Sequence, residues 1–228
     1  MTLALALVLL ELLMPQPFGP LVYCSHEIVL GVQQSGKTTL VRERLASARR
    51  VVFATPHPGD YADDGELVTV DELRRQPELL DGVVCRLVVP LGDEERDDDE
   101  ADEVEARDVL QLVRFVRREA PARGPLVLVL DEVGDYRRRC EATLGRLHRN
   151  GHHRGVASVL ISQCATDIPP TCHRNATRVV SLLQTRTEDL DALEAQYGAT
   201  FRERAARWQR GDPPALWMLS TLDPSRKE

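Results

Sequence analysis

Apolar positions along the chain fall into short unbroken runs, and between them lie stretches with helical spacing. The run Ile28-Val29-Leu30 ends a strand expected over 22–30 and leads into GVQQSGKTT at 31–39. A helix is expected from Lys37 to about Ala48, then a short buried strand at Val51-Val52-Phe53 that stops in the turn-rich TPHPGDY. Residues 71–80 read as a helix and VVCRLVVPL (83–91) as a strand. Val109, Leu112, Val113 and Val116 recur at helical spacing, so an amphipathic helix is expected from about Asp102 to Glu119. PLVLVLDEV (125–133) is a continuous apolar run closed by two acids, the pattern of a strand buried on both faces of a parallel sheet. A helix from Arg137 to about Arg149 comes next, then strands Val156–Ser162 and Arg178–Leu183. Helix Glu188–Tyr197 and a last strand near Ala215–Leu219 complete the series. Strand and helix alternate without a linker or repeat. That order predicts one α/β domain, with a mainly parallel central sheet flanked by helices.

Size agrees with this reading: 228 residues suit a single domain. Its bounds are set at 21–222, between an apolar segment 1–20 and a short tail 223–228. The opening MTLALALVLLELLM has no basic start and is interrupted by Glu11. It is also shorter than the roughly 20 residues that a helix needs to cross a bilayer. A secretory signal is therefore not expected. The segment reads as packing on the domain or on a partner, with a peripheral membrane or capsid contact, or an upstream start site, as alternatives.

Charge changes the picture in one place. The net charge is -7, but GDEERDDDEADEVEARD at 92–108 carries 11 acids and two arginines, a local -9, so the remainder is -7 + 9 = +2. Like-charge repulsion predicts a solvated acidic surface loop over 92–103. Five cysteines (Cys24, Cys85, Cys140, Cys164 and Cys172) show no CxxC pair, which suits free thiols in a reducing compartment. The expected location is the cytoplasm of a host cell, with incorporation in a virion also compatible.

Of 29 basic residues only Lys37 and Lys227 are lysines, and Lys37 lies in the glycine loop. GVQQSGKT fits G-x-x-x-x-G-K-[ST] with a strand before and a helix after it. Gly31 and Gly36 allow a tight turn in which the amides of Gln33, Gln34, Ser35, Gly36, Lys37, Thr38 and Thr39 point inward at phosphate oxygens. In this reading Lys37 reaches the β and γ phosphates, and Thr38 ligates Mg²⁺ together with Asp131, at the end of the LVLVLDE strand. Glu132 polarises the attacking water. The fold expectation sharpens to a P-loop NTPase domain. A guanine-reading N-K-x-D needs a lysine, and neither of the two here stands in one, so the expected nucleotide is ATP. The strand Val156–Ile161 ends in Ser162-Gln163. If it neighbours the LVLVLDE strand, Gln163 emerges at the carboxyl edge, where its amide can bond both the γ phosphate and the water.

The stretch LHRNGHHRGVASVLISQCATDIPPTCHRNATRVV (147–180) resembles the FtsK–HerA superfamily of ring-forming DNA-pumping ATPases. Within it, the similarity is to the single-domain genome-packaging ATPases of membrane-containing, double-jelly-roll viruses. The matching elements are His152-His153-Arg154-Gly155-Val156, Ser162-Gln163, Ile168-Pro169 and Arg174-Asn175-Ala176. HPGDY (57–61) resembles the family's D-x-x-G-E-Y, with Thr55 or Pro56 where an acid is usual. The resemblance implies a homo-oligomeric ring, pentamer or hexamer, acting on double-stranded DNA, with a capsid-vertex or membrane protein as a further partner. It also implies an arginine donated to the neighbour's site. The usual position holds His152, so Arg149 and Arg154 are the candidates, with Arg174 third. Arg137-Arg138-Arg139 and the Arg202–Arg210 segment either line a pore or are ordinary surface. The leading expectation is an ATP-driven translocase that packages a viral or proviral genome. A filamentous-phage assembly or conjugation-type membrane ATPase, a small-molecule kinase and a nucleotide-switch binding protein are the alternatives.

Overall fold

The computed structural model describes residues 25–92 and 98–218. The apolar segment 1–20 and the tail 223–228 lie outside them. Eight strands form one sheet: β1 (His26–Leu30), β2 (Arg50–Thr55), β3 (Glu66–Leu67), β4 (Cys85–Pro90), β5 (Leu126–Leu130), β6 (Val156–Ser162), β7 (Arg178–Ser181) and β8 (Ala215–Met218). Their order is β3-β4-β2-β5-β6-β1-β7-β8. Every pairing is parallel except β7 with β8. The described residues also form seven helices: α1 (Lys37–Leu45), α2 (Val70–Arg75), α3 (Asp98–Arg123), α4 (Val133–Asn150), α5 (Pro170–Asn175), α6 (Thr187–Tyr197) and α7 (Ala199–Arg207).

The continuous apolar run at 126–130 is explained by two separate cores. Leu126, Leu128 and Leu130 join the larger cluster with Leu112, Val116, Leu144 and Leu147 from α3 and α4. Val127 and Val129 face the other way, onto Val41 and Leu45 of α1 and Phe53 and Tyr61. Side chains alternate across a strand, so β5, covered by apolar cores on both faces, is apolar at every position.

Three local expectations are corrected. Part of the span expected as an acidic loop is helical, since α3 begins at Asp98. Acids belong naturally in a first helical turn, where they meet the positive end of the dipole. The same helix continues through Pro121 to Arg123 and stops at Gly124, whose φ of +97° no other residue adopts readily. The stretch 71–80 divides into α2 and a 3-10 turn at Pro77–Leu80, because Pro77 disfavours helical backbone in the residue before it. Helices α5 and α7 were not anticipated; each buries only two side chains, Cys172 and His173 in α5, Phe201 and Ala205 in α7. So sparse an apolar pattern leaves little period to read.

Candidate active site

Four strands deliver their carboxyl ends to one cleft of about 610 Å³, a volume in the range of small-molecule sites. β1 leads into the loop 31–36, β2 into His57 and Asp60, β5 into Asp131 and Glu132, and β6 into Gln163. β5 and β6 are direct parallel neighbours, with Leu130 opposite Leu160, which is what brings Gln163 out beside the acids.

The loop is held from below. Gly31 N–H donates to Ser162 O at 3.3 Å and Val32 N–H to Leu183 O at 3.0 Å. A Cβ on Gly31 would come within 2.5 Å of Ser35 Oγ and 2.9 Å of Leu182 Cβ, so glycine is required there. Gly36 turns the chain at φ +97° and Gln34 at φ +59°. α1 then begins with no side-chain cap and no acid in its first turn. Its amino end is left with open amide donors and an uncompensated dipole, a natural seat for an anion. Ser35 Oγ is buried without a hydrogen-bond partner, a further sign of a cradle built for polar atoms from outside the chain.

The charged groups are close-set. Lys37 donates from Nζ to Gly31 O at 2.8 Å and Val32 O at 3.3 Å. Burial holds its ammonium below the ordinary range, against the pull of Glu132 and Asp131. Asp131 is 4% exposed; its Oδ2 accepts from Tyr61 Oη at 2.8 Å and its Oδ1 from Glu132 N–H at 2.9 Å. Burial pushes its carboxyl up to about 6, the Tyr61 hydrogen bond pulling the other way. Glu132 sits in the left-handed region at φ 49°, ψ 52°, an uncommon conformation for a side chain larger than glycine's and one that concentrates at functional sites. It aims the carboxylate at Gln163, whose Nε2 donates to Oε1 and Oε2 at 3.3 Å each.

Thr38 and Asp131 both line the cleft. A hard cation such as Mg²⁺ takes few protein ligands and completes its shell with water and substrate oxygens, so one hydroxyl and one carboxylate fit it. Among the described residues no group of three or more His, Cys, Asp or Glu forms a protein-only metal cage.

Of the residues singled out from sequence, Gln33, Gln34, Gly36, Lys37, Thr38, Thr39, Asp131, Glu132 and Gln163 meet around this cleft, and Gly31 and Ser35 belong to its loop without lining it. Arg149, Arg154 and Arg174 do not. Arg149 ends α4, Arg154 precedes β6 and Arg174 ends α5 just before β7, all toward the amino edge of the sheet. The length of β6, on the order of 20 Å, separates Arg154 from Gln163 in the same chain. Nor does the Arg202–Arg210 segment present one basic face. Arg202 is paired with Asp191 and Glu194, whereas Arg210 lines the cleft itself.

Four cleft residues were given no part in nucleotide binding or hydrolysis from sequence: Arg42, His57, Asp60 and Arg210, the last read only within the Arg202–Arg210 segment as pore lining or ordinary surface. Tyr61, bonded to Asp131 behind the cleft, is a fifth. His57, Asp60 and Tyr61 lie in the quoted HPGDY, so their clustering at a strand end was the available signal. Arg42, one turn into α1, and Arg210 had none.

No protein-family model matches the chain, and no curated protein matches it. Solved structures do. The genome packaging NTPase B204 from Sulfolobus turreted icosahedral virus 2, in complex with ATP-gammaS, superposes with a TM-score of 0.65 at 16% identity, over 88% of this chain and 95% of that one. The same protein with AMPPCP gives 0.63 at 16% identity, over 83% and 90%. B204, the DNA-packaging ATPase from Sulfolobus Turreted Icosahedral Virus, gives 0.59 at 16%, over 82% and 89%. The chain has the fold of a viral genome-packaging NTPase. That is the single P-loop domain expected from the resemblance, and the match covers nearly the full length of B204.

Proposed function

We propose that this chain is an ATPase of the FtsK–HerA superfamily that moves double-stranded DNA, packaging a viral or proviral genome as a homo-oligomeric ring of five or six subunits. The observation that carries the reading is the contact of Gln163 Nε2 with both oxygens of Glu132, made directly above a loop with free amides and a buried lysine. Kinases acting on small molecules have no need of a polarising acid beside the metal carboxylate. A motor that must couple hydrolysis to movement needs both the acid and a group that reads the phosphate. The likeness to B204, solved with ATP-gammaS and AMPPCP, supports ATP as the nucleotide.

In this mechanism the loop amides and the α1 amino end bind the phosphate chain, and Lys37 exchanges its two carbonyl partners for β and γ oxygens. Thr38 and Asp131 would hold Mg²⁺, which supplies charge neutralisation at the phosphates. Glu132 accepts a proton from the attacking water as that water bonds to the γ phosphorus and the bond from that phosphorus to the β–γ bridging oxygen breaks, releasing ADP and phosphate. Gln163 orients the water and exchanges its Glu132 contact for a γ oxygen, so its side chain differs between the triphosphate and diphosphate states. Arg149 or Arg154, on the far edge of a neighbouring subunit, completes the site in trans by spreading positive charge over the transferred phosphoryl group. The ring's DNA, and any capsid-vertex or membrane protein, contact surfaces outside this cleft.

The test is phosphate release with and without duplex DNA, for the wild type and Gln163→Ala. Expected are stimulation of the wild type by DNA and its loss in the variant. Hydrolysis indifferent to DNA, together with a silent substitution, refutes the reading.

A further inference from the structure

Among the described residues beyond Gln163, only Arg210 lines the cleft. After α7 the chain makes a tight turn over 208–212, in which Trp208 Nε1 donates to Asp212 O at 2.9 Å and Gln209 N–H to Asp212 Oδ2 at 3.0 Å. Asp212 N–H closes it onto Gln209 O at 2.9 Å, and Gly211 at φ +105° makes the reversal. Arg210 stands at the tip of this turn and lines the cleft with Gln33, Gln34, Glu132 and Gln163. Among the described residues it makes no hydrogen bond or ion pair.

Charge makes that unpaired guanidinium significant. The cleft carries three carboxylates, Asp60, Asp131 and Glu132, against Lys37, Arg42 and Arg210. Arg42 is already ion-paired with Asp64, and Lys37 is sunk in the loop. A triphosphate entering beside these acids meets net repulsion unless a further cation faces it, even with one divalent ion bound. A planar guanidinium matches phosphate oxygens two at a time.

The turn is also tied to the residue that reads the phosphate. Gln184, 2% exposed, donates from Nε2 to Gln163 O at 3.2 Å, and its own N–H donates to Ala205 O of α7 at 3.1 Å. Two residues beyond Ala205, α7 ends and the turn begins. One buried residue, through its side-chain amide and its backbone N–H, thus connects the end of β6 to α7 just before the turn that carries Arg210.

We propose that Arg210 is a nucleotide-binding residue supplied by the same chain, gripping the terminal phosphates and reporting their presence through α7 and Gln184 to Gln163. The inference rests on the ATPase reading and deepens it: the cation completing the cleft in cis is distinct from the one offered in trans.

The test is direct binding of ATP-γS and ADP, each with Mg²⁺, to the full chain carrying Arg210→Ala, Arg210→Lys or Asp212→Ala. Arg210 is exposed, so Arg210→Ala should keep the wild-type melting temperature. Expected is about a tenfold weaker grip on ATP-γS in Arg210→Ala, a smaller loss for ADP, partial recovery in Arg210→Lys and an intermediate loss in Asp212→Ala, which loosens the turn. Wild-type affinity in Arg210→Ala, or equal losses for both nucleotides, overturns the proposal. A wild type that binds neither nucleotide overturns the ATPase reading and this inference with it.

Discussion

Glu132, the proposed base, holds a strained backbone in the lining of the cleft. Its left-handed backbone costs on the order of 1–3 kcal/mol and is tolerated because Asp131 Oδ1 accepts from its amide and its carboxylate accepts from Gln163 Nε2. Substitution Glu132→Gln retains shape and removes the base. Phosphate release should then fall by at least about 100-fold while ATP-γS binding stays within about threefold of wild type; a variant that still hydrolyses ATP at the wild-type rate would exclude Glu132 as base. Histidines at the opposite edge give a residue-scale prediction about stability. His26, 2% exposed, stacks on the buried His148 at 5.0 Å between ring centroids and shares a 2.8 Å hydrogen bond with Ser158 Oγ. Burial first, and His152 second, push His26 down to about 4, and burial drives His148 down as well. The unfolded chain protonates near the ordinary value of about 6.5, so between 6.5 and 4 it binds protons that the folded state refuses. Stability from this edge is complete above about pH 6.5 and declines as pH falls. Urea denaturation at pH 7 and pH 5 should differ by about 2 kcal/mol from His26 alone, and His26→Phe should flatten that slope; equal midpoints at the two pH values would contradict it.

At the scale of elements, the seating of α1 on β1 determines where the phosphate loop lies. Arg44, in the last turn of α1, forms a buried ion pair with Glu27 of β1, and burial works against the charged form of both partners. Removing one partner strands the other in a dry site, so Arg44→Ala should cost about 3 kcal/mol, whereas the double change Arg44→Met with Glu27→Leu should fall within about 1 kcal/mol of wild type. Chemical denaturation of the wild type and the two variants checks this, and a double variant as destabilised as Arg44→Ala would refute it. The elements also separate what could be read from what could not. Strands β1, β5 and β6 were legible to within a few residues because unbroken apolar runs bounded by glycines, prolines or acids have few other fates. α3 was legible in its middle, where Val109, Leu112, Val113 and Val116 repeat, and misjudged at its start, where repulsion among acids was weighed above their fitness for a helix amino end. α7 was invisible, since its hold on the domain comes through Phe201, Ala205 and one backbone bond to Gln184, none of which forms a pattern along the chain.

For the whole molecule, the two edges of the sheet are assigned different tasks. The carboxyl edge holds the cleft; Arg149 and Arg154 lie toward the amino edge, so in the proposed ring they would meet a neighbouring subunit's cleft. Hybrid rings test this division. Lys37→Ala and Arg154→Ala subunits should each be inactive alone, yet a random equal mixture should recover about a quarter of the wild-type rate, because that share of interfaces pairs an intact loop with an intact arginine. No recovery, with wild-type oligomerisation, would exclude Arg154 and direct the same experiment to Arg149. By itself the sequence determined the candidate chemistry: which loop can cradle phosphate, which acids end a buried strand, and that neither lysine stands in a guanine-reading N-K-x-D. These are local facts, set by residue type and spacing within a dozen positions. Only the tertiary structure decided what completes the site, because Tyr61, Gln184 and Arg210 reach it through strand order, helix seating and one turn, over separations along the chain that no spacing rule spans.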